Sequence, residues 1–312
     1  MLKRNHREAI AGYLFILPNF FGFLVFILIP VIFSLVLSFV KWDMLSVPVF
    51  VKFSNFINVL GFTSQAGRLI PNDPIFWKCL GNTIFLMIAI PIEVMLALGL
   101  AVAMNQKIRG IAIFRTFYFL PTITNGVAIC LLWWWIYNFD FGLLNSMIIK
   151  LGLFLDVPLK GIPWLTSAKW AKPSLMLMSI WIMMGGFNMI LFLAALQNVP
   201  RELYEAADID GASAWQRFWA ITWPMISPTT FFISVMAVIG GFQGGFMQAR
   251  IMTGGGPEQS TTTLEYLIYN HLYTWQNAGY AASIAWLVFI IIFVVTVLNW
   301  KFGGRLVQHS HY

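Results

Sequence analysis

Side chains able to do chemistry are few in this sequence of 312 residues, and the acidic ones are unevenly placed. Glu202, Glu205, Asp208 and Asp210 crowd one short stretch, while Glu93 stands alone inside a long apolar run. A charge at mid-bilayer costs about 2.5–3.5 kcal/mol on insertion scales, so Glu93 must face protein or water, or carry a proton. A proton-coupled secondary transporter uses such a group, which gives one reading of the chain. His6, His271, His309 and His311 form no metal-ligand pattern within one run, and no metal site is expected. Cys79 and Cys130 lie among apolar residues, where cysteine acts as a small hydrophobe. No Gly-x-x-x-x-Gly-Lys-Ser/Thr loop is present, so the usual cradle for ATP phosphates is missing. No catalytic set is expected, and a membrane enzyme is the weakest reading.

The elements that hold these residues follow from composition. Hydrophobic residues make up 59% of the chain, charged residues 10%, and mean hydropathy is +0.78. Soluble domains are about 25% charged, so a soluble enzyme, a disordered tail and a disulfide-stapled secreted domain are all excluded. Six runs exceed the ~20 apolar residues a helix needs to cross ~30 Å of hydrocarbon. Their spacing predicts an all-α integral membrane protein with spans at 11–39, 80–104, 114–137, 174–196, 220–244 and 279–300. Alternating strands of a membrane barrel are not seen. Near the start of the first run, Pro18 predicts a separate interfacial turn before it.

Lysine and arginine placement orients the spans. With both ends in the cytoplasm, residues 1–10 and 301–312 flank a membrane-spanning body at 11–300. Cytoplasmic pieces then carry Lys3, Arg4, Arg7, Lys107, Arg109, Arg115, Arg201, Arg217, Lys301 and Arg305. The outer loops hold nearly as many basic residues over about twice the length, a bias of density. A net charge of +7 needs only anionic lipid as its partner, and no nucleic acid is expected. Outer loops at 42–77 and 138–172 are long enough for short helices. A third outer loop holds Thr253-Gly-Gly-Gly-Pro257, either a flexible turn or a contact surface.

The most informative stretch is the cytoplasmic loop 198–217. Pro200 suits a helix start, and Glu202 and Glu205 complement its N-terminal dipole. Gly211 is a natural helix stop, and Ser213 with Gln216 forms a capping box for a second helix that Pro224 bends or ends. Tyr204, Ala207 and Gly211 share one face, small enough for another surface to approach. Four acidic residues would be repelled by anionic lipid, so a protein partner is expected there.

The run Glu205-Ala-Ala-x-x-x-Gly211, followed by Phe218, Ile221 and Pro224, resembles the loop that marks permease subunits of bacterial ABC importers. Leu120-Pro121, Asn138-Phe-Asp-Phe-Gly142-Leu-Leu-Asn145 and the Thr-Gly-Gly-Gly-Pro loop are similar to the maltose and glycerol-phosphate branch, and to the first of its two permeases. The resemblance implies a six-helix ABC type I importer permease fold in the bacterial cytoplasmic membrane. It implies half of a sugar pathway, a second homologous permease, two ATPase subunits that hold ATP and Mg, and an extracytoplasmic sugar-binding protein. No cofactor is expected on this chain itself. Glu205, Ala206, Ala207, Asp208 and Gly211 would couple to an ATPase subunit. Gly254, Gly255, Gly256 and Pro257 would meet the binding protein. Pathway positions carried over by the resemblance are Thr122, Gly126, Ile180, Met183, Met184, Phe242 and Gly245, with Thr124, Asn125, Asn188 and Gln243 as polar neighbours. Helix–helix hydrogen bonding is the competing role for those polar groups. The glycines at 240, 241, 244 and 245 permit either close packing or an unwound segment beside a cavity.

Overall fold

The computed structural model describes residues 2–65, 68–106 and 109–308. Lys107, His309 and His311 lie outside the described residues. Two compact units form, the first from residues up to Asp73 together with 268–287, the second from 74–267 and 288 onward.

In the first unit, α1 (Glu8–Leu37) is a long apolar helix that runs straight through Pro18. The interfacial turn expected before Pro18 does not form. A run of apolar side chains in lipid must satisfy its backbone internally, and one missing N–H is tolerated more readily than an unwound segment. A short hairpin of β1 (Val40–Lys41) and β2 (Val49–Phe50) follows, then α2 (Ser54–Leu60) and a second hairpin, β3 (Phe62–Gln65) with β4 (Arg68–Pro71). Buried Asn55 ties the end of α1 to α2, its Nδ2 donating to the carbonyls of Ser38 (2.9 Å) and Val40 (3.0 Å). Phe39, Phe53 and Phe56 pack their rings around that junction.

The second unit begins with α3 (Pro74–Met104), followed by α4 (Ile111–Ile123), α5 (Gly126–Ile136), α6 (Leu143–Phe154) and α7 (Ala168–Gln197). Next come α8 (Arg201–Ile209), α9 (Ala214–Phe242) and α10 (Leu264–Tyr269). The last span, α11 (Ala278–Lys301), crosses from the first unit into the second. Small residues Ala97 and Ala101 of α3 are fully buried in the core that holds Met189, Phe192, Ile226 and Ile233 of α7 and α9. Small side chains let membrane helices approach closely, where dispersion replaces the missing hydrophobic drive. A second core gathers Ile129, Cys130 and Trp133 of α5 with Leu175 and Met178 of α7.

Among the described residues five helices are long and apolar enough to span a membrane, and a sixth span requires joining α4 and α5 across a bend of 100°. The expected uninterrupted span at 114–137 is therefore broken. Asn125 is the cause: its Oδ1 accepts from the Val127 backbone N–H at 2.9 Å, capping α5 instead of continuing α4. Short polar side chains offer the backbone this alternative to a helical ladder.

Candidate functional site

The acidic stretch forms the helix–turn–helix that its capping residues predict. Pro200 leads into α8, and Gly211 takes φ +71°, the left-handed geometry that stops a helix cheaply only at glycine. Ala212 N–H then reaches back to the Ala207 carbonyl at 2.9 Å. Both arms of the capping box are made, Gln216 N–H to Ser213 Oγ (3.3 Å) and Ser213 N–H to Gln216 Oε1 (2.8 Å). An ion pair between Asp208 and Arg217 ties the two helices across the glycine turn. Tyr204 hydroxyl bonds Thr222 Oγ1 at 2.8 Å, anchoring α8 to α9.

The exposed face differs from the one that spacing predicts. Tyr204 and Ala207 turn toward the body of the chain, while Glu202, Glu205 and Ala206 are exposed with Asp208. At the tip, Ile209 is 88% exposed, an apolar knob beside the carboxylates. Tyr204 is drawn inward because its ring has a hydrophobic body and its hydroxyl a buried partner. What remains outward is a negatively charged helix with one apolar contact point.

Below the glycine-rich stretch of α9 lies a cavity of 390 Å³, bounded by α3, α7, α9 and the segment after it. The helix ends at Phe242, and Gly245 takes φ +89° with Thr263 so near that an added Cβ would lie 2.5 Å from its methyl. All four glycines line the cavity: Gly240 and Gly241 from the last turn of α9, Gly244 and Gly245 from the unwound segment that follows it. Of the positions named from sequence, Asn188, Met183 and Gly245 line this cavity. Thr122, Asn125, Gly126, Ile180, Met184, Phe242 and Gln243 do not. Gln243 is an exposed cap of α9, Phe242 is buried, Asn125 caps α5, and Gly126 packs where a Cβ would meet Met247.

The wall also includes polar groups that spacing does not reveal: Thr83, Ser179, Gln248 and Thr263, brought in by α3, α7 and the segments flanking the outer loop. Glu93 joins them. It is 5% exposed, and Ser179 Oγ donates to its Oε1 at 2.6 Å. Of the three consecutive tryptophans, Trp133 is buried against Tyr137 and Trp181, whereas Trp134 and Trp135 are exposed on the outside of α5.

The glycine-rich loop at 253–263 is ordered. Gly254 and Gly255 have φ of +61° and +85°, and the chain then doubles back so that residues 260–263 are buried. Asn82 Nδ2 donates to the carbonyls of Gln259 (2.8 Å) and Thr262 (3.0 Å), and the Leu264 N–H donates to Thr83 Oγ1 (3.1 Å). Thr253 and Thr261 share a hydrogen bond of 2.6 Å across its base. Buried polar groups in so apolar a setting are costly unless paired, and Thr261, Thr262 and Thr263 find partners nearby, while the buried Ser260 hydroxyl has none among the described residues. Among the described residues no cluster of His, Cys, Asp and Glu is arranged to hold a metal.

Solved structures show the same architecture. The chain superposes with a TM-score of 0.82 over 98% of its length, and 98% of the neighbour's, on a chain of the bacterial alginate ABC transporter in complex with alginate pentasaccharide-bound periplasmic protein, at 21% identity. At the sequence level it is 35% identical over 302 residues to the lactose transport system permease protein LacF of Rhizobium radiobacter, covering 96% of this chain and 95% of the relative. It is 30% identical over 304 residues to the trehalose/maltose transport system permease protein MalF of Thermococcus litoralis, covering 96% of each. Residues 78–303 match the family described as binding-protein-dependent transport system inner membrane component. The fold is that of a type I ABC importer permease, and the chain belongs to the binding-protein-dependent transport system inner membrane component family.

Proposed function

We propose that this chain is one of two homologous permeases in an ATP-driven importer for a sugar or oligosaccharide. Its full-length likeness to permeases of lactose and trehalose/maltose transport systems is the observation that carries the reading. An extracytoplasmic sugar-binding protein delivers the cargo to the outer face, where Gly254, Gly255, Gly256 and Pro257 form part of the contact. The cavity beside Asn188 and Gly245 is this chain's share of the pathway, with Thr122, Asn125, Gly126, Met184, Phe242 and Gln243 facing it in other conformations or through the second permease. Glu205, Ala206, Ala207, Asp208 and Gly211 present α8 to one of two ATPase subunits, which hold ATP and Mg and perform the hydrolysis. Both termini then lie in the cytoplasm, with 198–217 beside them. An acidic helix with an exposed isoleucine at its tip suits a groove with basic rims and an apolar floor.

The test is uptake by the complete importer reconstituted in vesicles with its binding protein. Radiolabelled neutral disaccharides should accumulate only with ATP, and accumulation should persist when the proton gradient is collapsed. Uptake driven by an imposed pH gradient without ATP would instead favour a proton-coupled carrier. Glu205→Lys and Gly211→Pro should insert normally yet lose sugar-stimulated ATP hydrolysis, because charge reversal and a broken turn both spoil the docked helix. Normal stimulation in both variants would remove α8 from this role.

A further inference from the structure

The cavity wall carries one acidic group and no basic one: lysine, arginine and histidine are absent from its lining among the described residues. Glu93 reaches it from α3 just beyond Pro91, whose missing N–H and bulky ring interrupt the helix ladder near Ile88. Its Oε1 is held by Ser179 from α7, and among the described residues Oε2 has no protein hydrogen-bond donor. The amides of Asn188 and Gln248 and the hydroxyls of Thr83 and Thr263 complete a polar rim on walls otherwise made of methionine, leucine and glycine. A buried carboxylate with one oxygen fixed and the other unpaired needs donors, because an acidic oxygen left bare in an apolar wall is strongly disfavoured. Sugar hydroxyls are such donors. A carboxylated or phosphorylated sugar brings a second anion, and in a low-dielectric cavity with no cation two like charges repel more strongly than in water.

We propose that Glu93 determines substrate charge in this permease: its free oxygen accepts hydrogen bonds from an uncharged sugar in the cavity and turns away anionic sugars. The inference rests on the sugar-import reading above and names the class of sugar within it. It also separates this chain from the neighbour that shares its fold, which is described as importing the acidic polysaccharide alginate. Ser179 is a positioning residue, holding the carboxyl by its Oε1 and leaving the second oxygen free.

The complete importer, in lipid nanodiscs without its binding protein, is equilibrated with radiolabelled lactose, maltose and trehalose. The same disaccharides oxidised at C6 to uronates are measured alongside by flow dialysis. The wild type should bind at least one neutral disaccharide about tenfold or more tightly than its uronate, the size expected of one charge-assisted hydrogen bond gained and one repulsion avoided. Glu93→Gln should bring the pair to within about threefold, since the amide keeps the shape and loses the charge. Ser179→Ala, which keeps the charge but releases the carboxyl to turn, should bring the ratio to between about threefold and tenfold. Equal affinities in the wild type overturn the proposal without any variant. So does a Glu93→Gln complex that copurifies intact and still rejects uronates as the wild type does. Should the wild type bind none of these sugars, the proposal also falls, and uptake with the binding protein present tells the two ideas apart. ATP-driven uptake of a neutral disaccharide would leave sugar import standing and remove only the role of Glu93, while no uptake of any sugar would remove both.

Discussion

Asn145 shows how much a single side chain holds in place. It is 1% exposed and uses both ends of its amide: Nδ2 donates to the carbonyls of Phe139 (3.1 Å) and Ile162 (3.0 Å), and Oδ1 accepts from the Ile162 N–H and Trp164 Nε1 (both 2.9 Å). Asn145→Ala should cost roughly 3 kcal/mol, because buried partners on both sides lose their bonds together. Thermal unfolding of the purified complex, followed by tryptophan fluorescence, should show the drop, and Asn145→Asp should recover part of it. His271 gives a pH dependence. Its ring packs against Trp275 and Tyr280, and burial lowers its pKa to about 4 although Asp73 pulls the other way. The unfolded chain, near 6.5, binds the proton first, so stability is full above about pH 6.5 and falls as pH drops toward 4. Tm measured across that window should decline, and His271→Gln should flatten the slope. Glu93 was legible from sequence as a misplaced charge, whereas Ser179, Thr83 and Gln248 were not. They reach one cavity only because α3, α7 and the segment after α9 pack together, and no spacing along the chain carries that information.

At the scale of elements, α8 and its turn were readable because capping is local. Proline, glycine and a serine–glutamine pair at fixed offsets satisfy helix ends without help from distant residues. The face that α8 presents was not readable, since Tyr204 turns inward onto the core and onto Thr222, eighteen positions away. The break between α4 and α5 escaped for a related reason: hydropathy marks where a chain is apolar, while the bend comes from one asparagine competing for a backbone N–H. Gly211→Val should cost about 1–2 kcal/mol locally, as a β-branched residue is forced to positive φ. The α8–α9 turn should then re-form in another geometry, and copurification of the ATPase subunits with the permease should fall. Removing the ion pair by Asp208→Asn should be milder, within about 1 kcal/mol, because both side chains are partly solvated.

The whole molecule leaves much of its apolar surface uncovered. No residue of the most apolar window of α1 is buried, and Leu14, Phe15, Phe20, Phe21 and Phe26 are among its exposed side chains. Lipid covers such a helix adequately, but a second permease would cover it better, so the chain made alone should be degraded faster than when coexpressed with its partner. Pulse–chase labelling would measure the difference. The outer loop has a consequence for anyone who would recombine transporters. Asn82 holds the loop by its carbonyls, and its neighbour Thr83 receives the Leu264 N–H while also lining the cavity. Loop and cavity wall therefore share Thr83, next to the Asn82 that anchors the loop, and neither is modular. A chimera that takes its outer loop from another importer should work only if positions 82 and 83 are inherited with it; grafted alone, the loop would arrive without its socket.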